Sequence, residues 1–204
     1  MGIVEILGIA GSVSLLAGWR LYLTLFATGL AMRLGALPLP DHLNALDALA
    51  NPWVMGIAAI AAVAEFFADK VAWLDSAWDA VHTFVRPIGG ALLALAVIDP
   101  GDPAIQVIAF IFGGGAALAA HAGKAGSRAV VNTSPEPFSN IAVSTVEDVA
   151  TAGLLWAAYE YPYAAAGIAL VLLALTVALI VAARRVIRKL LGRSKPAREA
   201  PPTV

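Results

Sequence analysis

Two lines of polar residues recur at helical spacing. Asp75, Asp79, His82 and Arg86 follow one another at intervals of four, three and four, and Asn140, Ser144, Glu147 and Thr151 repeat those intervals 65 positions later. Such spacing puts each set on one face of a helix. A line of this kind can relay protons or hold a charged solute, and Asp79 with His82 has the chemistry of an acid–base pair. Upstream of the first line stand Glu65 and Asp69, spaced i,i+4, with Lys70 beside them to neutralise one. Upstream of the second, Gly123-Lys-Ala-Gly-Ser-Arg128 offers two cations and two glycines that could wrap a loop round a phosphate or carboxylate. It lacks the P-loop spacing, so nucleotide hydrolysis is not indicated. Glu65, Asp69, Asp79 and His82 could present oxygens and an imidazole to a metal, yet no spacing such as His-Glu-x-x-His supports one. No metal or other cofactor is therefore expected. His82 and His121 read first as packing histidines. Arg20, set between Gly18-Trp19 and Leu21-Tyr22, is either half of an ion pair with Glu147 or Asp148 or a substrate-binding group.

The elements that must position these residues are apolar. Of 204 residues 60% are hydrophobic and 13% charged, with mean hydropathy +0.83. Globular chains run about 45–50% apolar and about 25% charged, so the excess calls for a bilayer as solvent. With no Cys, thiol catalysis, thiolate metal sites and disulfides are excluded together. Residues 103–123 and 161–183 contain no Asp, Glu, Lys or Arg and are long enough to span. The spacing predicts an all-α polytopic membrane bundle of about six helices, near 6–33, 52–72, 76–98, 104–122, 140–159 and 162–190. Asp75 is expected to cap the third, and Gly113-Gly-Gly115 to mark close packing or a break in the fourth. Of the charged groups, only Arg20, Arg86, Glu147 and Asp148 are expected below the membrane surface.

Charge distribution gives orientation. The connector 34–51 carries Asp41 and Asp47, the turn 99–103 carries Asp99 and Asp102, and the turn near 160 carries Glu160. The remaining connectors hold Lys70, Lys124 and Arg128, and seven of the 13 Lys and Arg lie in residues 184–204. The positive-inside rule then places both termini in the cytoplasm, as an even span count requires. Residues 1–190 form the transmembrane domain in this reading, and 191–204 a basic, Pro-containing disordered tail. No cleavable signal is expected at the N-terminus. A weaker likeness between 59–70 and 117–128, offset by 58, raises the expectation of a parallel internal repeat pairing helices two and three with four and five.

Several strings point to a family. Ala17-Gly-Trp-Arg-Leu-Tyr-Leu-Thr24, Glu65-Phe-Phe-Ala-Asp-Lys70 through Asp75-Ser-Ala-Trp-Asp79, Arg86-Pro-Ile-Gly-Gly90, and His121-Ala-Gly-Lys-Ala-Gly-Ser-Arg128 through Asn132-Thr-Ser-Pro-Glu-Pro137 resemble the bacterial membrane family catalogued as domain of unknown function 4126, over roughly residues 10–155. The resemblance implies a multi-pass protein of the bacterial inner membrane and carries no activity with it.

The sequence supports best a small transporter or translocase for an anionic solute or lipid headgroup, using Arg20, Lys70, Arg86, Lys124 and Arg128 as charge partners and Glu65, Asp69, Asp79, Glu147 and Asp148 as proton or counter-ion carriers. His82 and Asn140 complete the candidate binding set. Two alternatives stand beside it: an accessory subunit whose polar lines bind another membrane protein, and a lipid-modifying enzyme, the enzyme ranking lower. The expected partners are the bilayer, an anionic solute or lipid, and a second copy of the chain, with no nucleic acid.

Overall fold

A computed structural model describes residues 3–35, 47–98, 101, 103–132 and 138–192. Among them the secondary structure is helical: α1 Ile3–Trp19, α2 Leu21–Arg33, α3 Pro52–Ala68, α4 Ala72–Val97, α5 Pro103–Val131, α6 Phe138–Glu160 and α7 Pro162–Gly192. Asp41, Asp99, Asp102, residues 133–137 and the tail from 193 lie outside the described residues. Four helices, α4 to α7, are long and apolar enough to cross a membrane. At 1.5 Å per residue the 26 residues of α4 exceed the roughly 30 Å of a hydrocarbon core.

Local chemistry accounts for three of the helix starts. Asn51 caps α3, its side-chain oxygen accepting the Trp53 N–H at 2.9 Å, and Pro52 supplies a preset first residue. Pro103 and Pro162 open α5 and α7 in the same way. α4 begins at Ala72, one turn earlier than Asp75 suggested, after an uncapped Val71. Asp75 is fully buried and engaged elsewhere.

The predicted first helix is two helices. Arg20, at φ −141° and ψ 77°, breaks the run between α1 and α2. The fold is built round α1, which is buried on every side from Gly8 onward and packs against α4, α5, α6 and α7. Small residues permit this. Ser12 Oγ donates to the Ala165 carbonyl of α7 at 2.9 Å, and Ser14 Oγ to the Gly90 carbonyl of α4 at 3.0 Å. Gly113 of α5 meets Gly90 backbone to backbone, so the glycine run marks close packing rather than a break.

The bundle has an apolar outer face, and beside its apolar core part of its interior is charged. On α4, Asp75, Asp79, His82 and Arg86 face inward, while Val81, Phe84, Ile88 and Leu92 face out. On α6, Asn140, Ser144 and Thr151 are buried and Val146, Val149 and Trp156 exposed. Charge inside and hydrocarbon outside is the arrangement of a helical membrane protein.

Candidate functional site

The break after α1 sits beside a dense cluster of buried charge. Where a helix ends, its last carbonyls lose their intrahelical donors. Here the Gly18 carbonyl accepts from Arg86 Nη1 at 3.3 Å and the Trp19 carbonyl from Lys124 Nζ at 3.2 Å. Cations from α4 and α5 thus replace the backbone N–H groups that a continuous helix would have supplied.

Arg20 gathers three carboxylates. One Nη is bonded to Asp69, and the other donates to the Ser144 carbonyl at 2.9 Å and lies 3.4 Å from Glu147 Oε2. Its Nε stands 3.1 Å from Asp148 Oδ1 without the alignment of a hydrogen bond. Asp69, in the turn between α3 and α4, also accepts from Lys124 Nζ at 2.8 Å. Its backbone carbonyl takes a donor from Arg128 and the Asn140 amide at 3.1 Å.

Arg86 organises a second group. It pairs with Glu65 Oε1 at 2.7 Å and Asp79 Oδ1 at 3.3 Å, and donates to His121 Nδ1 at 2.6 Å. A guanidinium can only donate, so His121 Nδ1 must carry a lone pair and Nε2 the proton. That proton is directed at the Asp79 carbonyl, 3.1 Å away, and Thr83 Oγ1, 3.0 Å away. A third group forms where Arg128 Nη2 and the Asn132 amide reach the two oxygens of Asp75 at 3.2 and 2.7 Å.

A match to the family described as domain of unknown function (DUF4126) covers residues 7–182. The chain belongs to that family. No curated protein and no solved structure matches it.

The DUF4126 match takes in every residue of the network and extends past 155 into α7. Several expectations for these residues need correction. Residues 123–128 are helical, inside α5, so no loop exists there to wrap a phosphate, and Lys124 and Arg128 are spent on Asp69 and Asp75. Glycines 123 and 126 instead let α5 lie close to Thr176 and Ala183 of α7. Glu65, Asp69, Asp75, Lys124 and Arg128 are 2% exposed or less, enclosed by protein as fully as Arg20 and Arg86. Glu147 and Asp148 are the more open, at 15% and 21%. Lys70 makes no direct ion pair with Glu65 or Asp69. It lies 3.7 Å from Asp148 Oδ2 and 3.2 Å above the centre of the Phe66 ring.

His82 is held among Trp78 and Tyr22. Its Nδ1 is 2.7 Å from the Trp78 carbonyl, its Nε2 3.1 Å from the Tyr22 hydroxyl, and its ring stacks on Trp78 at 4.5 Å. Asp79 points away from it to Arg86, so the two do not form an acid–base pair. His82→Phe is accordingly expected to fold with a loss of only about 1–2 kcal/mol from its hydrogen bonds, read by thermal unfolding. A loss several times larger would mean that the ring does more than pack. Among the described residues no group of three or more His, Asp or Glu has metal-binding geometry, and Glu65 and Asp69 are turned to guanidinium groups.

Four network residues escaped sequence reasoning as site members. Asp75 looked like a cap and His121 like packing. Asn132 stood in the family-like string but was given no role. Ser144 was legible in its line but small, and it binds both Arg20 and Lys70.

Proposed function

We propose that this protein is a small membrane carrier in which a buried ion-pair network exchanges one cation for another, a proton being one of the two. The interrupted α1–α2 helix carries the reading. A broken helix at membrane depth is tolerated where protein or a polar path surrounds it, and carriers bind solute and coupling ion at such breaks. Because Gly18 and Trp19 are held by side chains of α4 and α5, those contacts can be traded without melting a helix. In this reading α1 and α2 together make one of six spans, both termini lie in the cytoplasm, and α3–α4 and α5–α6 are parallel units meeting at Arg128.

Charge balance selects the solute. Five cations (Arg20, Lys70, Arg86, Lys124, Arg128) face six carboxylates (Glu65, Asp69, Asp75, Asp79, Glu147, Asp148), and the histidines meet either Arg86 or neutral partners. The network therefore has room for one more positive charge. The anionic solute or headgroup suggested by the cations fits less well, since each cation is already neutralised and an anion would have to displace a carboxylate. Glu147 is the loosest carboxylate, its Oε2 3.4 Å from Arg20 and 4.0 Å from Lys124, and we assign it the proton.

The accessory-subunit reading is weakened because both polar lines turn inward and present no face to another protein. The lipid-enzyme reading loses its phosphate loop and its acid–base pair. The carrier is tested in proteoliposomes containing a trapped pH dye, challenged with sodium, potassium, methylammonium and ethanolamine. Cation-driven proton movement is expected, reduced at least about tenfold in Glu147→Gln, which sheds one charge and keeps its shape. A monodisperse protein that moves no protons with any of these, or with a long-chain primary amine, ends the reading. Movement driven only by organic anions would return the solute class to anions.

A further inference from the structure

A crevice of about 310 Å³ opens between α2, α3 and α6. Its walls are apolar, with Phe66, Val149 and Ala152 on the outer face of the bundle where hydrocarbon is the solvent. Its floor is charged: Arg20, Glu65 and Asp148. Two of these are 1% exposed and have atoms without a hydrogen bond among the described residues. Glu65 gives Oε1 to Arg86 and leaves Oε2 unpartnered, and Arg20 Nε is in the same condition. Asp148 Oδ2 likewise has no hydrogen bond, Lys70 standing 3.7 Å off. Buried polar atoms of native proteins are nearly always bonded to protein or water, and of those without a hydrogen bond among the described residues three belong to the residues that line this one crevice, where a ligand could satisfy them together.

We propose that this crevice takes the primary ammonium group of an amphiphile from the bilayer. Two acceptors at the floor lack a hydrogen-bond donor, while the one unbonded donor, Arg20 Nε, already stands 3.1 Å from Asp148 Oδ1, so the complement is a hydrogen-bond donor, and beside two carboxylates a cationic one. An ammonium bearing N–H groups can donate to Glu65 Oε2 and Asp148 Oδ2, whereas a quaternary ammonium cannot. The apolar walls ask for an alkyl chain behind the charge, and a mouth on the lipid face lets that chain remain in hydrocarbon. Arg20 Nε can meet an oxygen on the same molecule. The ammonium could belong to an aminophospholipid or to a free long-chain amine. This inference rests on the carrier reading and names its solute class.

The test uses the full chain purified in detergent. Dodecylamine and dodecyltrimethylammonium share chain and charge and differ in N–H groups, so their micellar behaviour is matched. Dodecylamine is expected to bind saturably and at least about tenfold more tightly. Ala152→Phe, which fills the crevice from its exposed wall and leaves the ion pairs untouched, is expected to remove that preference with thermal unfolding unchanged, and Glu65→Gln to reduce it. Equal binding of the two amphiphiles, or a preference that survives Ala152→Phe, overturns the proposal. Native mass spectrometry with short-chain phosphatidylethanolamine and phosphatidylcholine then separates the sources. Retention of the ethanolamine lipid alone identifies a phospholipid, retention of dodecylamine alone a free amine, and equal retention of both lipids counts against the site. Cation-driven proton flux without amine discrimination would keep the carrier and remove this site, and discrimination without flux would do the reverse.

Discussion

Arg20→Ala is expected to destabilise the detergent-purified protein by about 3–5 kcal/mol, the range for removing one partner of a buried ion pair. The argument is geometric. Arg20 is 1% exposed and is the group through which Asp69, Glu147 and Asp148 approach one another. Without it, five cations against six carboxylates become four against six, and Asp69 keeps only Lys124 as a cation on its carboxylate. Its donor to the Ser144 carbonyl would also be lost, loosening α6 from the break. Arg20→Lys restores the charge without the planar fork that reaches several partners, so it should recover only part of the loss. Adding Glu147→Gln to Arg20→Ala should also recover part, because it removes one of the stranded charges, and the double-mutant cycle gives the coupling directly. Thermal unfolding followed through tryptophan fluorescence supplies these values. A change within about 1 kcal/mol for Arg20→Ala would mean that the network is solvated and worth little, as surface pairs are.

What the sequence made legible was period and polarity. The four-three-four spacing of Asp75 to Arg86 and of Asn140 to Thr151 identifies one face of each helix, and the structure turns both faces inward. The partnership of Arg20 with Glu147 and Asp148 followed from the expense of an isolated charge in hydrocarbon. The break at Arg20 did not follow. The sequence continues as Leu21-Tyr-Leu-Thr-Leu25 with no proline or glycine, and what stabilises the interruption is a pair of cations more than 60 residues away in sequence. The stretch 123–128 failed for a different reason. Gly and Ser signal loops in water, but in a membrane bundle they are also what lets helices approach, and here that second meaning holds. Asp75 misled in the same way: a carboxylate near a helix start reads as a cap, yet Arg128 and Asn132 claim it from another helix. In each case the deciding interaction was tertiary.

The three consecutive glycines of α5 give the sharpest test of the packing. They are chemically identical and point in three directions. A Cβ added to Gly113 would lie 2.4 Å from Ala94 Cβ and 2.6 Å from the Gly90 carbonyl oxygen, one contact being backbone that cannot rotate away. At Gly114 the nearest atom, the Pro87 carbonyl oxygen, is 3.2 Å away, and at Gly115 nothing lies within 4 Å. Gly113→Ala is therefore expected to destabilise by about 3 kcal/mol, since α4 and α5 must separate and draw Ser14 of α1 with them. Gly114→Ala should fall within about 1 kcal/mol of the parent, the small clash offset by helix propensity. Gly115→Ala should be neutral or stabilising by up to about 1 kcal/mol, as alanine is the better helix former where space is open. Thermal unfolding of the three single variants in one detergent reads the order. Equal effects at positions 113 and 115 would mean that α5 is rotated relative to α4, and with it Lys124 and Arg128 would no longer face the turn that holds Asp69.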